Sequence, residues 1–199
     1  MVLEGGEASG KSTQAALLAD STGALLTREP GGTPTGERLR ALLLDPALPP
    51  LSPRAELLLL LAARAQHVAE VIEPALSAGI DVVCDRFTGS TLAYQGYGRE
   101  LDLGDVSAMA EWAEGGVTPD RVVFLRVSPA VVAARRGARG GLDRMEGEGA
   151  AFFARVDCGF IALAAADPQR WRVVDGEGSP AEVAARVRAA AGESTDHSR

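Results

Sequence analysis

Gly5-Gly6-Glu7-Ala8-Ser9-Gly10-Lys11-Ser12 fits the pattern G-x-x-x-x-G-K-[ST] position for position. A short apolar run, Val2-Leu3, precedes it, and a helical pattern from Lys11 to Asp20 follows. Strand, glycine-rich turn and helix in that order make a phosphate-binding loop. The glycines let successive backbone N–H groups converge on phosphate oxygens, and the helix aims its positive N-terminal end at the same point. Lys11 is placed to reach the β- and γ-phosphates of a nucleoside triphosphate and Ser12 to ligate Mg²⁺. Gly5, Gly6, Glu7, Ala8, Ser9, Gly10 and Thr13 line the cradle.

Outward from the loop, apolar runs able to form buried strands recur at Val2-Leu3, Ala24 to Leu26, Val82 to Cys84, Val122 to Val127 and Trp171 to Val174. Helical patterns separate them: Lys11 to Asp20, Gly36 to Leu44, Pro53 to Ala78, Val106 to Glu114, Pro129 to Arg136, Gly149 to Ala166 and Pro180 to Ala191. This alternation predicts an α/β fold, a five-stranded parallel sheet with helices on both faces. Pro53, Pro129 and Pro180 each follow a serine, so a serine N-cap and a proline in the first turn are expected at three helix starts. A length of 199 residues suits one domain, expected over 1–192, with 193–199 a frayed tail.

The 46% apolar content and net charge of −7 describe a globular chain and argue against general nucleic-acid binding. No apolar run approaches the ~20 residues needed to cross a bilayer; the longest, Leu57 to Ala63, is bracketed by Glu56 and Arg64. The amino end lacks the basic-then-apolar layout of a signal peptide, so a cytoplasmic location without a membrane partner is expected. Cys84 and Cys158 are too few for a disulfide scaffold and are expected as buried thiols. His67 and His197 are assigned no chemistry.

Several segments offer groups for a second anion. Asp85-Arg86-Phe87 follows the Val82 to Cys84 strand, where ligands of open parallel sheets bind. Asp85 is a candidate for the metal and Arg86 for an acceptor phosphate, although a surface ion pair has the same sequence. Thr27-Arg28-Glu29-Pro30-Gly31-Gly32-Thr33 joins Arg28, a candidate acceptor contact, to what is otherwise a plain Pro-Gly turn. Ser90-Thr91-Leu92-Ala93-Tyr94-Gln95-Gly96 supplies hydroxyls and an amide for a base and sugar, or for an ordinary polar helix start. Finally, Arg135-Arg136-Gly137-Ala138-Arg139-Gly140-Gly141-Leu142-Asp143-Arg144 joins fixed positive charge to backbone freedom, the composition of a phosphate-covering lid over about 137–148 or of a solvated basic loop.

In this order the segments resemble the thymidylate kinase family, over nearly the whole chain, and Thr-Arg-Glu-Pro-Gly-Gly-Thr with Ala-Tyr-Gln-Gly carries the resemblance. It implies a P-loop nucleoside monophosphate kinase fold and direct transfer from ATP, with Mg²⁺, to dTMP in dTTP synthesis. It also implies roles. Glu7 would contact the 3′-hydroxyl region, Arg86 the dTMP phosphate and Arg64 the thymine edge; Tyr94 would sit beside the sugar, with Ser90 and Gln95 in the same pocket. Members with a small residue at the position of Ala8 bring the catalytic arginine from the lid, here Arg139, with Arg135 and Arg144 in support. Relatives are commonly homodimers, and the Pro53 to Ala78 helix offers an apolar face.

The chain departs from the family pattern in three places. Leu60 stands where many relatives stack an aromatic on the base, Phe160 where they often have tyrosine, and only Met1-Val2-Leu3-Glu4 precede the loop. That leaves either a start further upstream or a stunted central strand. Two other readings fit the loop alone: a P-loop kinase for another nucleotide or deoxynucleoside, and a nucleotide-dependent switch that transfers nothing.

Overall fold

The structure, a computed structural model, describes residues 1–137 and 144–192. Strands β1 (Val2–Glu4), β2 (Leu25–Arg28), β3 (Val82–Asp85), β4 (Val122–Arg126) and β5 (Trp171–Asp175) form one parallel sheet in the order β2-β3-β1-β4-β5. From β1 the chain runs out to the β2 edge, returns to β3 beside β1, then crosses to β4 on the other side. The strand order therefore reverses at β1, and a crevice opens at the carboxyl ends of β1, β3 and β4. Every residue of β1 is buried, so three residues suffice for a central strand whose neighbours cover both edges.

Alternate strand residues face opposite helical layers. Leu3, Val83, Val123 and Leu125 pack against Ala15 and Leu18 of α1 (Lys11–Thr22) and Val183 and Val187 of α9 (Pro180–Ala191). Val2, Val82, Cys84 and Val122 instead meet Val68, Ile72 and Ala75. Phe124 stacks on Phe160 of α8 (Ala150–Ala166), ring centroids 5.2 Å apart, beside Phe152 and Tyr94. The remaining helices are α2 (Pro34–Leu44), α3 (Pro53–His67), α4 (Glu73–Ser77), α5 (Thr88–Thr91), α6 (Leu103–Glu114) and α7 (Pro129–Gly137). No helix among the described residues is long and apolar enough to cross a membrane.

The three serine caps form as expected: Ser52, Ser128 and Ser179 each accept a backbone N–H three residues on, at 3.3, 3.5 and 3.3 Å. Four local expectations need correcting. The Pro53 to Ala78 helix is continuous only through a π-helical turn, Val68–Ile72. Residues 88–98 are helical, α5 leading into a π-helical segment Leu92–Gly98. Helix α6 begins at Leu103 rather than Val106, because the Asp102 carboxylate caps it by accepting from Asp105 N at 3.0 Å. Cys84 is buried but Cys158 is exposed, lying off the stripe of α8 formed by Phe152, Val156, Gly159 and Phe160. The expected lid falls partly, and the 193–199 tail wholly, outside the described residues.

Candidate active site

The phosphate loop leaves β1 through Gly5 at φ 146°, passes Ala8 at φ 56° and enters α1 through Gly10 at φ 95°. A Cβ on Gly5 would stand 2.5 Å from the Leu125 carbonyl oxygen, so this turn lies directly on β4. The buried Lys11 ammonium donates to Gly6 O at 2.6 Å and Ser9 Oγ at 3.3 Å. Burial and the nearby Arg86 charge lower its pKa to about 8, against the opposing pull of Glu7, Asp85 and Glu4. Ser12 Oγ donates to Asp85 Oδ2 at 2.5 Å, joining the loop to the end of β3. The other oxygen, Asp85 Oδ1, is buried and has no hydrogen-bond partner among the described residues. A hydroxyl and an unsatisfied carboxylate oxygen side by side are the hard ligands that fit Mg²⁺.

Arg86 follows β3 with φ 73°, a left-handed backbone unusual for a side chain of this size. That turn points its guanidinium back across the loop. Nη1 donates to Gly5 O at 2.9 Å and Ser90 Oγ at 3.0 Å, and Nη2 to Glu7 Oε1 at 2.6 Å and Tyr94 OH at 3.3 Å. The guanidinium lies 5.1 Å from the Tyr94 ring centroid. Burial would raise the Glu7 carboxyl, yet the Arg86 and Lys11 charges and the Tyr94 hydrogen bond hold it down at about 2. Burial raises the Tyr94 hydroxyl, and the Arg86 guanidinium is also raised, its burial outweighed by Tyr94, Glu7, Asp85 and Glu4. Glu7 is therefore ionised, Arg86 charged and Tyr94 neutral across the neutral range.

Behind this group sits Glu4, fully buried at the end of β1. It accepts from Phe87 N and Ser90 N, both at 3.0 Å, and from Ser90 Oγ at 2.5 Å. Glu4 thereby caps α5 and fixes the serine that Arg86 leans on. Burial pushes its carboxyl up against those hydrogen bonds.

Beyond Arg86 a pocket opens, lined by Glu7, Ser90, Tyr94 and Gln95 on one side and Leu60 and Arg64 of α3 on the other. Arg64 is buried; Nε donates to Glu29 Oε2 at 2.8 Å and Nη2 to Thr91 Oγ1 at 2.9 Å, while its guanidinium lies 4.8 Å from the Phe87 ring centroid. Gln95 donates to Glu56 at 2.9 Å, and Glu56 also receives Arg99 at 3.0 Å and Arg144 at 2.8 Å. Burial would raise Glu56, but those donors keep its carboxyl low. Arg144 and Met145, just past the undescribed stretch, close the far wall.

On the opposite side of the loop, Arg135 donates to Ala8 O at 3.1 Å and Gly176 O at 3.0 Å. With Gly10, Thr13 and Pro180 it lines a second groove. The two grooves meet at a polar cleft bounded by Lys11, Ser12, Thr13, Asp85 and Arg86. Arg28 reaches this cleft's rim but is half exposed and bonded to Glu37 at 2.8 Å. Arg139 lies outside the described residues. Sequence reasoning missed Glu4, Glu29, Thr91 and Glu56 as members of the site. Glu29 and Thr91 stood inside quoted motifs and Glu56 opened α3's first turn, but no local signal marked their partners.

A parallel sheet with a phosphate loop at its switch point, an anion-gripping arginine on the next strand and a groove on either side defines a P-loop nucleoside monophosphate kinase. The thymidylate kinase family profile matches residues 3–187. A thymidylate kinase of a Synechococcus species is 54% identical over 192 residues, covering 94% of this chain and 91% of that one. One from Pseudomonas fluorescens is 50% identical over 180 residues, 88% of this chain and 86% of its own. The crystal structure of thymidylate kinase from Ehrlichia chaffeensis superposes with a TM-score of 0.78 at 31% identity, each chain covered to 94%. This chain belongs to the thymidylate kinase family. Its activity is the ATP-dependent phosphorylation of dTMP in dTTP synthesis.

Proposed function

We propose that this chain passes the γ-phosphoryl group of ATP straight to the phosphate of dTMP, with the work divided between the two grooves. The convergence of both grooves on the Lys11–Arg86 cleft is the observation that carries this reading. ATP lies with its base side toward Arg135 and its phosphates under the loop amides and Lys11. Ser12 and Asp85 would hold Mg²⁺, which would supply positive charge against the phosphates.

Arg86 grips the dTMP phosphate, and its bond to the ionised Glu7 fixes the guanidinium before substrate arrives. Arg64, with Thr91 beside it, and Gln95 meet the base; Leu60 packs on it; Tyr94, Ser90 and Glu7 border the sugar. Arg28, at the rim, adds positive field. The acceptor is already a phosphate anion near neutral pH, so positioning and charge stabilisation suffice without a general base. Arg139 retains its assignment from sequence, stabilising charge on the transferred phosphoryl oxygens, within a lid over about 137–148 of one kinase domain. The enzyme works in the cytoplasm as a homodimer joined through α3 and α6. Leu58 and Trp112 leave apolar surface there, 54% and 85% exposed.

The test is product analysis with ATP, Mg²⁺ and dTMP, dUMP, thymidine, CMP or GMP, repeated for Arg139→Ala. We expect dTDP as the main product and no phosphorylation of thymidine. Turnover of Arg139→Ala should fall by about a thousandfold, with dTMP binding changed by less than about threefold. Unaltered turnover removes Arg139 from the mechanism; equal use of CMP or GMP overturns the acceptor assignment.

A further inference from the structure

Glu114, the last residue of α6, is a buried carboxyl that the transfer just described does not use. A carboxylate is poorly placed there, because the helix C-terminus already carries partial negative charge and burial strips away solvent. Its surroundings give the position a purpose. Glu114 Oε1 accepts a hydrogen bond from the Thr88 hydroxyl and lies 3.9 Å from Arg64 Nη1, which itself approaches Thr88 Oγ1 at 3.5 Å.

The guanidinium of Arg64 is gripped unevenly. Along one edge Nε and Nη2 both meet Glu29 Oε2 at 2.8 Å. Glu29 is in turn backed by His67 Nδ1 at 3.1 Å, and His67 Nε2 by Thr27 Oγ1 at 2.6 Å. On the other edge Nη1 has, among the described residues, only the long contacts to Thr88 and Glu114. Glu29 and Thr91 thus hold the Nε and Nη2 edge, with Phe87 against the face of the guanidinium, and the contacts of Thr88 and Glu114 bear on the remaining end.

We propose that Glu114 is a positioning residue for acceptor recognition, its carboxylate drawing Nη1 toward Thr88 so that Arg64 presents a fixed donor edge to the base. This rests on the reading of Arg64 as a base contact. The attraction exists only while Glu114 is ionised. Burial raises its carboxyl to about 7, with Arg64 pulling the other way and Glu29 and Glu111 adding to the rise. The charged and titratable groups facing it are Arg64 on α3, Glu29 after β2 with His67 behind it, and Glu111 on its own helix. As pH falls through this range Glu114 takes up a proton, Nη1 is released and affinity for the base drops.

Thymidine is the probe, because it keeps the base and sugar but lacks the phosphate that itself ionises near pH 6. Calorimetric titration of the intact enzyme should show affinity about fivefold weaker at pH 6 than at pH 8. Glu114→Gln keeps the shape and can still accept from Thr88, and its affinity should vary by less than about twofold over that interval. Thr88→Val removes a donor to the carboxylate and should move the parent's midpoint to higher pH. A parent-like pH profile in Glu114→Gln, or an unmoved midpoint in Thr88→Val, overturns the proposal. Thymidine that binds without competing against dTMP overturns instead the reading of this pocket as the acceptor site.

Discussion

Lys11 spends its charge on the loop's own oxygens, Gly6 O and Ser9 Oγ, and is held near pKa 8 by burial and by Arg86. A triphosphate brings full negative charges to the same ammonium, which must raise its proton affinity. Binding of Mg²⁺-loaded nucleotide, whose phosphates are already ionised, should therefore take up protons at pH 8 and fewer at pH 6.5, where Lys11 is already charged. Titration calorimetry in buffers of differing ionisation enthalpy reads this directly; a binding enthalpy independent of buffer at pH 8 would contradict it. Lys11 and Ser12 were legible in the sequence because both lie in one contiguous motif, whereas Arg86 was legible through the family resemblance, its partners Gly5 and Glu7 lying far back along the chain. Glu4 and Glu29 were not. Each gains its meaning from groups far along the chain, Glu4 from Ser90 and Glu29 from Arg64, and no local spacing records such contacts.

Among elements, the strand-to-helix turn is the least forgiving. Gly5 combines φ 146° with a carbonyl oxygen 2.5 Å from where a Cβ would be, so Gly5→Ala must distort either the loop or β4. A loss of about 2–4 kcal/mol in denaturant unfolding is expected, together with weaker ATP binding. An alanine variant as stable as the parent would mean that the turn relaxes cheaply. The strands and serine caps were readable because hydrophobic runs and Ser-Pro pairs are local signals. The π-helical segment Leu92–Gly98 was hidden because packing dictates it. A Cβ on Gly98 would come within 2.7 Å of Phe152, and one on Gly159 within 2.7 Å of Tyr97, so two bare backbones let this segment nestle against α8. The fit belongs to the pair of elements, and neither sequence states it alone.

At the scale of the molecule, α3 and α6 share an apolar groove of Leu58, Leu61, Ala62, Ala65, Ala108, Met109 and Trp112, with Leu58 and Trp112 exposed. If this face joins two copies, Trp112→Glu should convert a dimer to a monomer in sedimentation at low micromolar concentration, with the fold retained by circular dichroism. A variant sedimenting like the parent would move the contact elsewhere. The order β2-β3-β1-β4-β5 has a further consequence. The loop bearing Lys11 leaves β1 and Arg86 leaves β3, and these strands are hydrogen-bonded neighbours in register at Leu3 and Asp85. The two segments thus set out from points one parallel-sheet spacing apart, about 4.8 Å, fixed by strand pairing rather than by the length of any connection. A change in a connecting loop or outer helix that leaves this strand pairing intact leaves that spacing intact as well.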